Sequence, residues 1–465
     1  MRYYSLGKRQ SIMKKFNTIL LINPPYERAG VSESVSSVSI SLSLAMLGAI
    51  CQNLGRNTKV LDLNLYFDWT DRLLLTVHDY EPDLVGITFT TPTYYLANEI
   101  AKTIKRENEK DVTIVGGGAH ATALPRETLM GSAFDGLAIG EADLSFQELI
   151  KTADKNTPGW FWKSDNNFVK TGVFPQISFL DNLPHGAFDL FDTEKYIYPE
   201  ETSRKNPVCL LETSRGCYAK CSFCNKNIFG HRIRKKSSRR IVDEIEYILS
   251  CGFGEIHLSD DSFTADLNHA KGMCDEILAR GLKFPWVPRS GIRVDRITGK
   301  VLEIMRKAGC YHVPFGIESG SQNVINRINK GITIEQVRNS VKIAKELEFE
   351  TTGYFMIGLP GETVETLMKT LDFASELQLD HVKFGFTIPL PGTPMFEELE
   401  EIGNLLTRDW NKFTYTTPSW EIFGFEDKRL RAFIESVQFN DHILVDIANK
   451  SLHFDYNKKN YVLNK

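Results

Sequence analysis

The sequence contains no apolar run of about 18 residues, the least a helix needs to cross a bilayer, so a membrane span is not expected. Its start does not read as a secretory leader: MRYYSLGKRQSIMKKF is charged and polar, and the apolar stretch behind it, Ile19 to Ile22, is too short. Charge of one sign is not in excess. A net charge of -4 with a pI near 6.2 gives no electrostatic footing for nucleic acid. The one basic run, His231 to Arg240 (HRIRKKSSRR), holds six Lys or Arg residues and reads as a solvated loop entering the next helix. Cysteine is sparse, 8 in 465 residues, which excludes a disulfide scaffold and makes a reducing cytoplasm the natural compartment.

What is present suffices for well-formed cores. Hydrophobic residues make up 42% of the chain and charged residues 25%, and the length suggests two or three domains. From residue 16 to 150, β-rich runs (TILLIN, KVLDLN, DLVGITF, VTIVGGG) alternate with helical patterns, which predicts a parallel sheet flanked by helices. Residues 151 to 205, rich in aromatics, Pro and Asp, read as a connecting segment packed on its neighbours. A second alternating series, 206 to 395, predicts six strands with five helices between them, a partial (β/α)6 barrel of the TIM type with reactive groups on the loops after the strands. From 396 to 465 the pattern weakens into a small α-rich extension, expected on the substrate side.

The cysteines are unevenly placed. Cys217, Cys221 and Cys224 fall within eight residues, in Ser214-Arg-Gly-Cys-Tyr-Ala-Lys-Cys-Ser-Phe-Cys224, directly after the first strand of the second series. Soft thiolates at this spacing suit an iron-sulfur cluster or zinc. Structural zinc would need a fourth ligand such as His231 and is normally closed by paired Cys-x-x-Cys knuckles, of which only one is present. Three thiolates on a four-iron cubane leave one iron free to take an outside ligand.

With these cysteines, the sequence from about Phe16 to Met395 resembles the radical S-adenosylmethionine superfamily, specifically its cobalamin-binding-domain group. The resemblance implies that Cys217, Cys221 and Cys224 ligate a 4Fe-4S cluster whose fourth iron chelates S-adenosylmethionine, with Phe223 beside the adenine. It places Asp260 and Asp261 (SDDSF, 259 to 263) at the substrate amino group, Arg293 (GIRVD) after the third strand and Glu318 (GIESGS) at the ribose. Gly358 and Glu362 fall in the glycine-rich adenine-side motif Gly353 to Glu362, and PLPGTP, 389 to 394, looks like the final-strand signature.

The first domain resembles a Rossmann-like cobalamin-binding fold, with GITFTT after the third strand, VGGGAH at 115 to 120 and IGEADLSFQELI at 139 to 150. Glycines 116, 117 and 118 would let backbone approach a bulky ligand at the strand ends, and Thr88 and Thr90 match positions near the dimethylbenzimidazole tail. The first loop, Asn23-Pro-Pro-Tyr-Glu-Arg-Ala-Gly30, lacks the histidine that many such folds place beneath cobalt, so cobalamin is expected to bind without a protein imidazole. The implied function is a cobalamin-dependent methyltransferase acting on an unactivated carbon of a small molecule or natural-product intermediate, fed by a one-electron reductant such as flavodoxin or ferredoxin. A radical cyclase, oxidase or rearrangement enzyme is the second reading, and a non-catalytic cobalamin or iron-sulfur sensor the third.

Overall fold

The computed structural model describes residues 16–26, 38–107, 111–164, 167–415, 418–420, 452–455 and 460–463. Five short runs form parallel strands: β1 (Thr18–Asn23), β2 (Asn57–Asp62), β3 (Leu84–Thr88), β4 (Thr113–Gly117) and β5 (Gly136–Ala138). They lie in the order β2-β1-β3-β4-β5, and β6 (Trp160–Ser164) and β7 (Asn167–Lys170) continue the edge antiparallel. Residues 160 to 170, expected in the connecting segment, thus extend the first sheet. The cause is aromatic: Trp160 and Trp162 are buried and stack with ring centroids 5.1 Å apart, covering apolar area that a free linker would expose.

Helices α1 (Leu42–Asn53), α2 (Trp69–Tyr80), α3 (Tyr94–Glu107), α4 (Ala119–Ala123), α5 (Pro125–Leu129) and α6 (Asp143–Thr152) connect these strands. In α3, Ala97, Ile100, Ala101 and Ile104 recur at helical spacing and are all buried, which fixes the face turned to the core. With β2 and β3 on opposite sides of β1, the chain leaves the sheet in opposite directions there. The carboxyl ends of β1 and β3 consequently border the crevice where such sheets take ligands.

Residues 171 to 207 cross to the second unit. Leu180, Phe188 and Tyr196 are buried, and the Tyr196 hydroxyl donates to Asp62 Oδ2 at 2.9 Å. The barrel starts with β8 (Val208–Leu211), interrupted by a short ribbon of β9 (Ser214–Arg215) and β10 (Arg234–Lys235), and continues with β11 (Glu255–Leu258), β12 (Trp286–Val287), β13 (His312–Glu318), β14 (Glu350–Ile357) and β15 (His381–Phe386). Sheets β12-β11-β8 and β13-β14-β15 are joined by parallel bridges Trp286 to Cys310 and Ile292 to Phe315, giving the six-stranded partial barrel.

Helices α7 (Ser238–Ser250), α8 (Leu267–Ala279), α9 (Gly299–Lys307), α10 (Gln322–Arg327), α11 (Ile334–Glu346) and α12 (Val364–Glu376) cover the barrel, and α13 (Pro394–Glu401) follows its last strand. Most of the extension expected to be α-rich, 421 to 451, lies outside the described residues. Those that are described include an antiparallel pair, β16 (Leu452–Asp455) and β17 (Asn460–Leu463).

Two of the three strand-end glycines serve this packing directly. A Cβ at Gly116 would lie 2.7 Å from Phe89 Cε1, and one at Gly118, whose φ is +123°, would lie 2.2 Å from the Phe89 carbonyl oxygen. With ψ at -170°, Gly118 occupies backbone space that is essentially closed to other residues. Gly118→Ala should therefore lower stability by about 1–3 kcal/mol or more and loosen the turn after β4. Denaturation of the two proteins side by side checks this, and equal midpoints would show that the turn relaxes freely.

Candidate active site

The three cysteines sit on the excursion between β9 and β10, which pair antiparallel with Arg215 opposite Arg234. Gly216 opens the loop at φ +90°, where a Cβ would lie 2.3 Å from the Arg232 carbonyl oxygen. Backbone bonds then close the excursion on itself and pin it to distant parts of the barrel. The Cys217 amide donates to Gly230 O at 3.3 Å, the Ser222 amide to Ile328 O at 3.0 Å, and the Met395 amide to Ser222 O at 3.0 Å. The Asn225 side chain donates to Pro391 O at 2.8 Å, tying the PLPGTP turn to the same loop.

Cys217 and Cys221 are buried, Cys224 is half-buried, and with Ala219 and Phe223 they form a small apolar cluster, which Phe223 joins to the barrel's main core. Among the described residues no three His, Cys, Asp or Glu side chains converge as a single ion would require. A four-iron cluster asks for something different, since each thiolate binds its own iron and the sulfurs stand further apart. His231, the candidate fourth zinc ligand, is exposed. Cationic groups surround the thiols: burial pushes the Cys221 thiol up, while Lys330 and Arg293 oppose it. Burial also works against the charge on Lys226, but Cys224, Cys217 and Asp261 outweigh it and raise its pKa. Three soft donors in a cationic, largely dry setting fit an anionic iron-sulfur cluster.

The residues expected around S-adenosylmethionine divide into two groups. Glu318 ends β13 at φ +68°, a left-handed conformation for a non-glycine residue, and its Oε1 accepts from Lys330 Nζ at 2.6 Å with both side chains buried. Arg293 donates from Nε to the Tyr218 hydroxyl at 3.1 Å and to Asp295 at 2.9 Å, and from Nη2 to Lys330 O at 2.8 Å. Exposed Asp261 accepts from the Gly216 amide at 2.9 Å. These three stand around the cysteine loop.

Asp260 does not. It was expected at the amino group, but Oδ1 accepts from the Thr213 amide at 2.7 Å, and Oδ2 from the Thr213 and Ser214 hydroxyls at 2.5 and 2.6 Å. Burial pushes its pKa up to about 6 despite these bonds. Both of its oxygens are committed to holding the chain just ahead of Cys217. Glu362 likewise closes a turn, accepting at Oε2 from the Gly358 amide at 2.6 Å, while its buried Oε1 has no partner.

Between the two units lies a cavity of about 420 Å³. Thr88, Thr90 and Gly116 to Gly118 line it from the first sheet, and Glu212, Arg215, Lys236 and Ser259 from the barrel. Hydroxyls and strand-end backbone suit a large ligand held by amide and hydroxyl contacts, and no histidine lines the cavity among the described residues. The expectation of a solvated basic run holds for Arg232, Lys235 and Arg239, which are exposed, and fails at two positions. Arg234 and Lys236 are buried, Arg234 against Glu141 at 2.7 Å and Lys236 against Glu244 at 2.6 Å, because the β9–β10 ribbon turns Arg234 inward and Lys236 follows just after it.

Several site residues were not singled out from the sequence. Arg215 and Glu141 lay inside quoted motifs, but nothing local marks them as partners. Tyr218 is flanked by Arg293 and Arg296, each about 5 Å from its ring and both cationic. Tyr415 stands within electrostatic reach of Glu318, Cys224 and Tyr26, bringing the extension to the barrel mouth.

Burial raises the Glu362 carboxyl from its ordinary 4.5 to about 8, with the Gly358 and Leu359 amides opposing. The folded protein thus holds this proton where the unfolded chain has released it, and the group costs stability as pH rises from about 4.5 to 8. Glu362→Gln removes that cost. The difference in melting temperature, variant minus native, should grow between pH 5 and pH 8, and a constant difference would show that the carboxylate is charged throughout.

Comparison with known proteins agrees with this arrangement. The model of the Radical SAM superfamily matches residues 211–374, and that of the B12 binding domain matches residues 29–150. An uncharacterized methyltransferase of Pyrococcus horikoshii, PH0819, is 31% identical over 94% of this chain and 95% of its own length. The anaerobic magnesium-protoporphyrin IX monomethyl ester cyclase of Cereibacter sphaeroides is 26% identical over 86% of this chain and 66% of its own. Among solved structures, the radical S-adenosylmethionine methyltransferase TsrM from Kitasatospora setae, with cobalamin and a [4Fe-4S] cluster bound, superposes with a TM-score of 0.68 at 21% identity, covering 83% of this chain and 74% of that one. At that identity the likeness is one of fold. Taken with the cysteine loop and the strand-end cavity, these matches establish that the chain belongs to the radical SAM superfamily, in the group that carries a B12-binding domain.

Proposed function

We propose that this chain is a cobalamin-dependent radical methyltransferase that acts on an unactivated carbon of a small molecule. The observation that carries the reading is the shared cavity: the strand ends of the B12-binding domain and the segment leading into Cys217 border one space. When bound, the reduced cluster supplies the electron that cleaves S-adenosylmethionine, and cobalamin supplies the methyl group. The protein's own residues position and enclose. Asp260 holds Thr213 and Ser214 ahead of the cysteines, Arg293 and Glu318 stand beside them, and Thr88 and Thr90 offer hydroxyls at the opposite wall.

Electron delivery from an acidic carrier such as flavodoxin or ferredoxin is supported by the exposed cations on and beside the cysteine loop, Lys220, Arg232 and Arg296. A cluster held on three reduced thiolates calls for a reducing compartment, and among the described residues no helix is long and apolar enough to cross a membrane. The cyclase relative keeps a second reading open, radical chemistry without methyl transfer. The sensor reading would require binding without turnover.

Anaerobically reconstituted protein, given S-adenosylmethionine, cobalamin, reductant and cell extract, should yield S-adenosylhomocysteine and 5′-deoxyadenosine together with a product one methyl heavier. Cys221→Ala should lose the cluster and all cleavage, whereas Cys251→Ala and Cys274→Ala should keep both. If only 5′-deoxyadenosine forms with the true substrate, and cobalamin changes nothing, the cyclase or rearrangement reading replaces this one.

A further inference from the structure

The charged wall of the cavity is built from both units, and its geometry is specific. Arg215, two residues before Cys217, reaches three carboxylates. Its Nε donates to Glu212 Oε1 at 2.6 Å, and its Nη1 to Glu141 Oε1 at 2.5 Å and to Asp143 Oδ2 at 2.6 Å; Nη2 donates to Asp143 Oδ1 at 3.3 Å. Glu212 belongs to the barrel, on the turn from β8. Glu141 and Asp143 belong to the B12-binding domain, on the turn after β5 and at the start of α6. Arg234, across the ribbon from Arg215, donates from Nη1 to the same Glu141 Oε1 at 3.0 Å and forms an ion pair with Oε2 at 2.7 Å. The Arg215 and Glu141 side chains are exposed by only 6% and 3%.

We infer that Arg215 is a positioning residue that sets the distance between the cysteine loop and the cobalamin-side strand ends. Three features make it suited to that task. A guanidinium presents its donors in a rigid planar fork, so satisfying three carboxylates fixes orientation as well as distance, which an ammonium does not. The cluster is buried, so a shift of either unit strands charges away from water, and the arrangement is strongly preferred over its neighbours. Finally, Gly216, hemmed in by the Arg232 carbonyl, prevents slack between Arg215 and Cys217. On the far side, Glu141 follows β5 by three residues, close behind Ala138 on the cavity wall. Each end of the ion cluster is thus rigidly linked to the part it positions. The consequence for catalysis rests on the methyl-transfer reading; the docking itself does not.

Backbone hydrogen exchange at residues 139–146, measured in the full-length, cluster-reconstituted protein without cobalamin, separates docking from a local role. Arg215→Met/Asp143→Asn removes one charge of each sign, and Arg215→Lys keeps the charge but not the fork. Both should speed exchange at 139–146 by about tenfold or more, whereas Glu212→Gln, which removes only the partner on the barrel side, should leave it near native. With cobalamin and S-adenosylmethionine added, the two Arg215 variants should release more 5′-deoxyadenosine per methylated product than the native protein. Should the double variant fail to fold, Arg215→Lys decides. Native exchange at 139–146 in the folded Arg215 variants overturns the inference. A native protein that makes no methylated product speaks instead against methyl transfer and leaves the exchange result standing.

Discussion

A four-iron cluster held by three thiolates is fixed at three corners only, so the loop that carries the thiols must be held from outside itself. Here that is done by a set of bonds of long sequence separation. Asp260 grips Thr213 and Ser214, Asp261 takes the Gly216 amide, and Ile328 and Met395 hold both sides of Ser222. None of these groups is itself a thiol, yet each limits where a thiol can stand. The arrangement carries a cost, visible in the Asp260 pKa of about 6 and in the left-handed backbone at Glu318. Such a cost is tolerated where a site must be in place before its cofactor binds.

The same loop also joins the two units. Its leading residue, Arg215, turns toward the B12-binding domain, while Arg234 of the trailing strand pairs with Glu141 and Lys236, just after it, lines the same wall. Three carboxylates facing two guanidinium groups leave an excess negative charge, and burial raises the Glu212 pKa against the pull of Arg215 and Lys236. The C-terminal segment ties the two units a second time. Trp410 packs edge-on against His120, with ring centroids 5.3 Å apart, so residues beyond the barrel clamp back onto the first domain. The cavity is thus bounded by elements from both units, and the units are joined both by buried ion pairs and by an aromatic contact.

Much of this was legible in the sequence because it is written locally. The cysteine spacing, the six β-rich runs of the barrel and the four β-rich runs before them are all short-range patterns, and the structure has strands where those runs predict them, with the three-residue β5 added. What was not legible depends on which way a side chain turns. Asp260 and Asp261 are adjacent and alike in composition, but one is buried and fully bonded while the other is exposed. The basic run looked solvated throughout because composition does not tell that a two-residue ribbon points Arg234 inward and that Lys236, just after it, is buried. Arg215 and Glu141 are 74 residues apart, and no periodicity connects them. The glycine triplet was read as room for a ligand and lines the cavity, but the sequence does not show that Gly116 and Gly118 are also required by Phe89.

The claim on which all of this rests is that Cys217, Cys221 and Cys224 leave one iron of a four-iron cluster for S-adenosylmethionine. Mössbauer spectroscopy of protein reconstituted with iron-57 measures it directly. On addition of S-adenosylmethionine, about a quarter of the iron signal should shift to a distinct, higher-coordinate site while the rest stays unchanged. A cluster whose four irons all ignore S-adenosylmethionine would contradict the account.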